Sequence, residues 1–231
     1  MAKTQDDVQA KPTVAESVSA FLHRFRKQIV IVSAVLVAGG IGAAVIMEIQ
    51  SRRAEDALAR AETVQEQYEH WLAADQDERG EIEPELFAEL EAIRDRYSGT
   101  YGGLRAQYIE ANMHYESERY EAAGMVFEQL AENYPNSHLA PRSLLYAAFA
   151  AEELDDPGRA ERLFRRLVDS YGADVPEKPR ALFGLARIYE LGQRYQDAET
   201  AYSDLVERYS ASPWSNMARN RLIALRAQDR I

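Results

Sequence analysis

Apolar side chains along this chain follow two regimes. Residues 29–47 are nineteen positions without a charge, which at helical rise span about 28 Å, close to the hydrocarbon thickness of a bilayer. Beyond them, apolar positions recur at helical spacing and the pattern repeats every 37 to 38 residues. Ala123, Ala160 and Ala198 keep step with Phe127, Phe164 and Tyr202, with Leu130, Leu167 and Leu205, and with Tyr134, Tyr171 and Tyr209. Further ladders join Arg105, Arg142 and Arg180, then Tyr108, Leu145 and Phe183, then Ala111, Ala148 and Ala186. Within one repeat, Ala123, Phe127, Leu130 and Tyr134 sit 4, 3 and 4 apart, so they share a helix face. Tyr108, Ala111 and Tyr115 predict a second helix before it, and breaker residues place turns at 118–119, 155–158 and 192–194. Each such pair cannot bury its apolar face alone, so the period predicts a stack of helix pairs.

The period also runs backwards. Thirty-seven residues before Phe127, Leu130 and Tyr134 stand Leu90, Ile93 and Tyr97, which predicts a degenerate first unit with its second helix over 84–97. Its partner is a long helix over 54–74, where Ala57, Ala61, Val64, Tyr68 and Trp71 are spaced 4, 3, 4 and 3. That stripe fits either packing on the next helix or the seam of a coiled coil. Residues 213–231 read as a closing helix that covers the last repeat with Trp214, Met217, Arg221 and Leu225. The expected fold is all-α: one N-terminal transmembrane helix, then an α-solenoid of about three and a half helix pairs plus a capping helix. The expected divisions are a tail over 1–28, the membrane helix over 29–47, the long helix and degenerate repeat over 48–99, three repeats over 100–212, and the cap.

Charge sharpens the membrane reading. Five Lys and Arg against three Asp and Glu give residues 1–47 a charge of +2, so the chain's −11 leaves −13 for the remainder. An acidic domain is a poor match for nucleic acid. The apolar run exceeds the core of a signal peptide and no Ala-x-Ala cleavage site follows it, which favours a retained anchor. Arg24, Arg26 and Lys27 stand just before the run, with Lys3 and Lys11 further out, against Arg52, Arg53 and Arg60 after it. This bias keeps the N-terminus in the cytoplasm and sends the repeats across. Thr13 and Glu16 form a capping box, and Val14, Val18, Phe21, Leu22 and Phe25 then share one face of an interfacial helix; residues 1–11 read as disordered. Small residues at Gly39, Gly40 and Gly42 suit either a membrane helix in general or one that approaches another.

Candidate chemistry is sparse. The chain has no cysteine, which excludes disulfides, thiolate metal sites and a lipidated anchor. His23, His70, His114 and His138 lie in four separate segments without metal-ligand spacing, and no phosphate-binding glycine loop is present. The acidic stretch from Asp75 to Glu85 lacks the alternation of a calcium loop and reads as a solvated loop; Gly102 and Gly103 read as a break between helices. No acid, base or nucleophile constellation is visible, so no enzyme, cofactor or metal is expected.

The arrangement of small residue, aromatic, Ala and a closing Tyr134-Pro135 resembles the tetratricopeptide repeat (TPR) over 104–209. In that family the first helix of each pair lines a concave protein-binding groove. The resemblance therefore points to Arg105, Tyr108, Asn112 and Tyr115, then Arg142, Leu145, Tyr146 and Phe149, then Arg180, Phe183 and Arg187. Aromatic and Arg residues are also the types that binding hot spots favour. Tyr108, Tyr146 and Gly184 stand where chaperone-tail receptors of the family carry clamp residues, so that subtype is not matched. The layout of a basic cytoplasmic end at Arg24 to Lys27, one membrane helix, a long helix, and Thr100-Tyr101-Gly102-Gly103-Leu104 leading to Glu121-Ala122-Ala123 resembles the ancillary subunit of the bacterial SecYEG translocon. Tyr134-Pro135-Asn136-Ser137 with Ala140, and the 209–213 segment, look like the periplasmic repeats of the Tol-Pal cell-division coordinator. The resemblance implies an inner-membrane, single-pass scaffold whose periplasmic repeats bind other proteins such as a translocon, a chaperone or an envelope complex. An alternative is a structural organiser that oligomerises through the anchor and the Ala54 to Trp71 stripe.

Overall fold

The computed structural model describes residues 14–231, with side chains from Arg24 onward except Ile29. The cap expected at Thr13, the tail expected over 1–11, and the side-chain face expected on Val14, Val18, Phe21 and Leu22 lie outside the described residues. The described residues form helices joined by short turns: α1 (Val14–Ala73), α2 (Gln76–Arg96), α3 (Tyr101–Glu116), α4 (Tyr120–Asn133), α5 (Leu139–Glu153), α6 (Pro157–Ser170), α7 (Lys178–Leu191), α8 (Tyr195–Arg208) and α9 (Pro213–Ala227). No strand occurs among them, and the all-α solenoid expected from the period is present.

The chain divides at Arg52 into two units. In the first, α1 carries a segment long and apolar enough to cross a membrane. Val30, Leu36, Ile41 and Ile46 along it are all exposed. Where the pattern predicts separate helices before and after this run, α1 is continuous, because residues 48–53 contain neither Gly nor Pro to break it.

In the second unit, helices pair in sequence. Ala123, Ala160 and Ala198 are completely buried, as are Phe127, Phe164, Tyr202, Leu130, Leu167 and Leu205. The small residue lets the two helices of a pair approach and the ring fills the space beside it. The pairs α3–α4, α5–α6 and α7–α8 turn in the same way. Glu118, Asp155 and Gln193 adopt left-handed backbone, with φ of 57°, 54° and 59°. The next amide then reaches back five residues, as in Arg119 N–H to His114 O (2.8 Å), Asp156 to Ala151 (2.9 Å) and Arg194 to Tyr189 (2.8 Å). This is the left-handed C-terminal cap of a helix, here made without glycine.

Local expectations are corrected at three places. The acidic stretch after Asp75 is not a loop: the Asp75 side chain accepts from the Asp77 and Glu78 amides and starts α2 eight residues before Pro84. Asp77 and Glu78 in that first turn complement the positive end of the helix. Pro84 faces solvent, where water can take the carbonyl it leaves unpaired. Gly102 and Gly103 are not a break but lie buried in the first turn of α3, capped by Thr100. A Cβ on Gly102 would stand 2.2 Å from the Ala57 carbonyl oxygen, so glycine is what lets α3 touch the backbone of α1. The closing helix buries Ser215, Ala218, Leu222 and Leu225 rather than the stripe through Met217 and Arg221, both of which are exposed. Trp214 is half-buried there, and counting inward from it by 4, 4 and 3 gives the face that packs.

The 54–74 stripe packs within the chain. Ala57, Val64 and Trp71 share a core with Leu86, Leu90, Ile93, Tyr97, Ala106, Ile109 and Met113.

Candidate protein-binding groove

The first helices of the repeats, α3, α5 and α7, each present half-buried aromatic side chains that rest on the fully buried ring of a second helix. Tyr108 stands 5.6 Å, centroid to centroid, from Phe127; Phe149 stands 5.8 Å from Phe164; Phe183 stands 5.6 Å from Tyr202. Tyr108 and Phe183 share one ladder register and meet the rings of Phe127 and Tyr202, whereas in the middle repeat Leu145 holds that register and Phe149, four residues on, supplies the ring against Phe164. The upper rings also reach one another across repeats. Tyr146 lies edge-on to Tyr108 at 6.4 Å, to Tyr115 at 6.0 Å and to Phe149 at 5.9 Å. Further along, Phe183 lies 5.5 Å from Trp214 in the first turn of α9. Arg180 joins the two ends: its guanidinium lies 4.3 Å from the Phe149 ring centre and 5.4 Å from that of Trp214. The result is an unbroken strip of Tyr115, Tyr108, Tyr146, Phe149, Arg180, Trp214 and Phe183. Rings offset or edge-to-face at such distances attract one another beyond their burial.

The strip is partly dry. Burial pushes the hydroxyls of Tyr108 and Tyr115 up to about 12, so both stay neutral donors across the physiological range. Asn112 turns back on its own helix and donates to the Tyr108 carbonyl oxygen at 2.7 Å.

The arginines expected in the groove take three different roles. Arg142 donates from Nε to Glu177 at 3.1 Å, and the Glu177 side chain is almost covered. Arg187 pairs with Glu152, whose carboxyl is raised by burial, with Arg187 pulling it back down. That pair lines a separate cleft with Pro157, Ile188, Leu191 and Arg194 at the turn end of the helices. Arg180 stacks on rings, and half-buried Arg105 has no ion pair or side-chain hydrogen bond among the described residues. Leu145, expected beside Tyr146, is 3% exposed and belongs to the core, because it sits one position round the helix and points at the neighbouring pair. Trp214 was read in the sequence only as a capping residue, and Glu177 and Glu152 went unrecognised. Trp214 carries a signal of its own, lying directly after Ser212 and Pro213 at a helix start, whereas the glutamates carry none that the repeat period reveals.

No group of three or more His, Asp or Glu able to hold a metal occurs among the described residues. His114 is tucked against Phe87 at 4.8 Å and accepts from Arg119 Nε at 3.1 Å. Burial lowers its pKa below the ordinary value and the Arg119 charge lowers it further.

Comparison with known proteins agrees with this architecture. Residues 105–137 and 147–213 each match a family model described as tetratricopeptide repeat. A TPR repeat-containing protein of Treponema pallidum (strain Nichols) is 29% identical over 148 residues, covering 62% of this chain and 59% of that protein. The match thus spans little more than half of the relative's length. Among solved structures, the nearly identical TPR-like repeats of a Podosopora anserina protein described as a kinesin light chain superpose with a TM-score of 0.54 at 16% identity, covering 73% of this chain and 88% of that one. A second crystal structure of those repeats gives 0.53. That likeness concerns the fold alone. The matched segments hold most of α3, the end of α5 and all of α4, α6, α7 and α8, with Tyr108, Tyr115, Phe149, Arg180 and Phe183 of the strip on them and Tyr146 and Trp214 just outside, and over those segments the chain is similar to the tetratricopeptide repeat.

Proposed function

We propose that this chain is a membrane-tethered scaffold that holds another protein in the groove of its repeats on the periplasmic side of a bacterial inner membrane. The observation that carries the binding half is the continuous aromatic strip. Seven side chains from four helices are kept half-exposed where Phe127, Phe164 and Tyr202 of the second helices are fully buried. Tetratricopeptide repeats are a protein-interaction fold, and aromatic and Arg side chains set in partly desolvated hollows are what dominates binding energy at protein interfaces. The tether half rests on the exposed apolar side chains of α1 and on Arg24, Arg26 and Lys27 at its entry. Attachment to a translocon, a chaperone or an envelope complex belongs to this reading, and so does the absence of catalysis. An organiser that oligomerises through the 54–74 stripe is less well supported, because Ala57, Ala61, Val64 and Trp71 are already buried in the chain's own core.

The test has two arms. A membrane-impermeant protease added to spheroplasts should digest the repeats and leave a fragment near residues 1–50; full protection inverts the topology. A photoreactive side chain in place of Tyr146 should form one discrete crosslinked product in cells that disappears when Phe149→Ser is added. The same probe at Glu199, on α8, should not form it. Equal products from both positions would dismiss the groove.

A further inference from the structure

We infer that Arg180 sets the specificity of this groove by reading a carboxylate on an acidic side chain of the bound protein segment. The inference rests on the groove reading above and adds the chemistry of its occupant.

In a chain with 38 acidic residues against 27 Lys and Arg, an arginine readily finds a carboxylate. Across the solenoid many do: Arg94 pairs with Glu110, Arg119 with Glu83, Arg159 with Glu121 and Glu128, Arg194 with Glu161, and Arg221 with Glu190. Arg180 departs from that pattern. It is half-buried, has no carboxylate within ion-pair distance and makes no side-chain hydrogen bond among the described residues, and its guanidinium rests on the rings of Phe149 and Trp214. Stacking fixes the guanidinium plane and occupies its faces, while the N–H groups in its edge stay available. That edge is a planar fork matched to a carboxylate, and a pre-ordered fork loses less freedom on binding than a mobile one.

The surroundings favour an anion too. Glu177, the acidic residue three positions away at the start of α7, is engaged by Arg142 and so does not compete. Arg105 adds an uncompensated positive charge at the equivalent register of α3. Beside the guanidinium, Phe149 and Tyr146 offer an apolar surface. The complementary segment therefore carries Asp or Glu next to an aromatic or aliphatic residue.

The probe is a random peptide library displayed through its C-terminus, so that only side chains can supply the carboxylate, selected on the full-length chain in detergent micelles. Enriched peptides should carry Asp or Glu at a fixed offset from an apolar residue. For a synthetic peptide of the winning sequence, Arg180→Gln should weaken binding by about tenfold or more, as should Glu→Gln in the peptide, and the two changes together should cost no more than either alone. Arg180→Met, which keeps an apolar stem between the rings, should lose the same affinity with an unchanged melting temperature, and Arg180→Lys should fall between. Enriched peptides without an acid, or additive losses in the double change, would overturn the assignment. Tyr146→Ala separates the two levels. Binding lost with Tyr146→Ala but kept with Arg180→Gln sinks Arg180 alone, whereas binding kept with Tyr146→Ala, or a selection without winners, sinks the groove itself.

Discussion

The three regular repeats and the first helix pair do the same job with different chemistry. In the repeats, a left-handed residue turns the chain, an alanine lets the helices meet, and a buried ring fills the gap. The turn even recurs at Asp229, after α9, with Arg230 N–H reaching back to Leu225. Most of the adhesion is therefore backbone and shape, used again at each step. At the first pair no such turn occurs. Its junction is closed by side chains: Asp75 caps α2, and Arg79 donates to the carbonyl oxygens of Leu72 and Ala74 while lying over the Trp71 ring at 4.9 Å. At the other end Arg53 donates to the Arg96 carbonyl oxygen at 2.8 Å. The cores are separate as well. α3 mediates between them, giving Ala106, Ile109 and Met113 to the first pair and Ala111 to the repeats. A repeat array can thus end on a pair that shares none of its turn chemistry, provided one helix has apolar residues on two faces.

The largest expected effect comes from emptying each core in turn. Phe164→Ala removes a ring enclosed by neighbours on both sides and should cost about 3 to 5 kcal/mol, because the hollow cannot collapse without shifting two repeats. Trp71→Ala removes comparable area and should cost a similar amount. The two should differ in where protection is lost. Native-state hydrogen exchange after Trp71→Ala should speed up in α2 and leave α5 to α8 slow, while Phe164→Ala should speed up α5 to α8 first. Loss of protection over the whole solenoid in both variants would show that α3 does not insulate the two cores.

What could be read in the sequence follows the same division. The ladders Ala123, Ala160, Ala198 and Phe127, Phe164, Tyr202 were legible because each position is buried in the same way in every repeat, so burial and period coincide. Of the strip, Tyr108 and Phe183 stand on a ladder of their own, and Tyr146 and Phe149 were legible only through the resemblance of their helix to the first helix of a tetratricopeptide repeat. The groove's ion pairs were not. Arg142 reaches Glu177 and Arg187 reaches Glu152, each 35 positions away in opposite directions, and neither offset is the repeat period. Leu145 was misplaced because its ladder partners Tyr108 and Phe183 are large enough to span core and surface, while a leucine at that position is simply covered. In the first pair, Pro84 and the glycines were read by their usual meaning as breakers, and the context of Asp75 and Ala57 overrides it.

A middle-sized effect separates those meanings. Gly102→Ala should cost about 1 to 3 kcal/mol, since the added carbon meets backbone at Ala57 rather than a side chain that can turn away. Gly80→Ala, in the interior of α2 with nothing within 4 Å of the new carbon, should instead gain about 0.5 to 1 kcal/mol from the better helix former. Urea denaturation of the two variants reads the sign directly. If Gly102→Ala is neutral, α3 does not need its close approach to α1, and the first pair is held by its side chains alone.

The smallest effect tests the seam between the regions by pH. His114 of α3 packs on Phe87 of α2 and accepts from Arg119, an arrangement that needs a neutral ring. Burial first and the Arg119 guanidinium second lower its pKa below 6.5, with the Glu83 carboxylate partly opposing them. A group depressed in the folded state holds more protons when unfolded. Its contribution is therefore complete above pH 6.5 and drains away as pH falls from there through the lowered folded value. His114→Gln keeps a polar side chain without a titrating ring. The difference in stability between the native chain and this variant should be largest near neutral pH and shrink as the solution is acidified below 6.5. Taking that difference cancels groups that titrate alike in both proteins, among them Glu110 and Glu152, whose raised values act in the opposite sense. A difference that stays flat between pH 7.5 and 5 would mean that the imidazolium is as comfortable in the seam as the neutral ring, and that the contact between the first pair and the repeats is open to water.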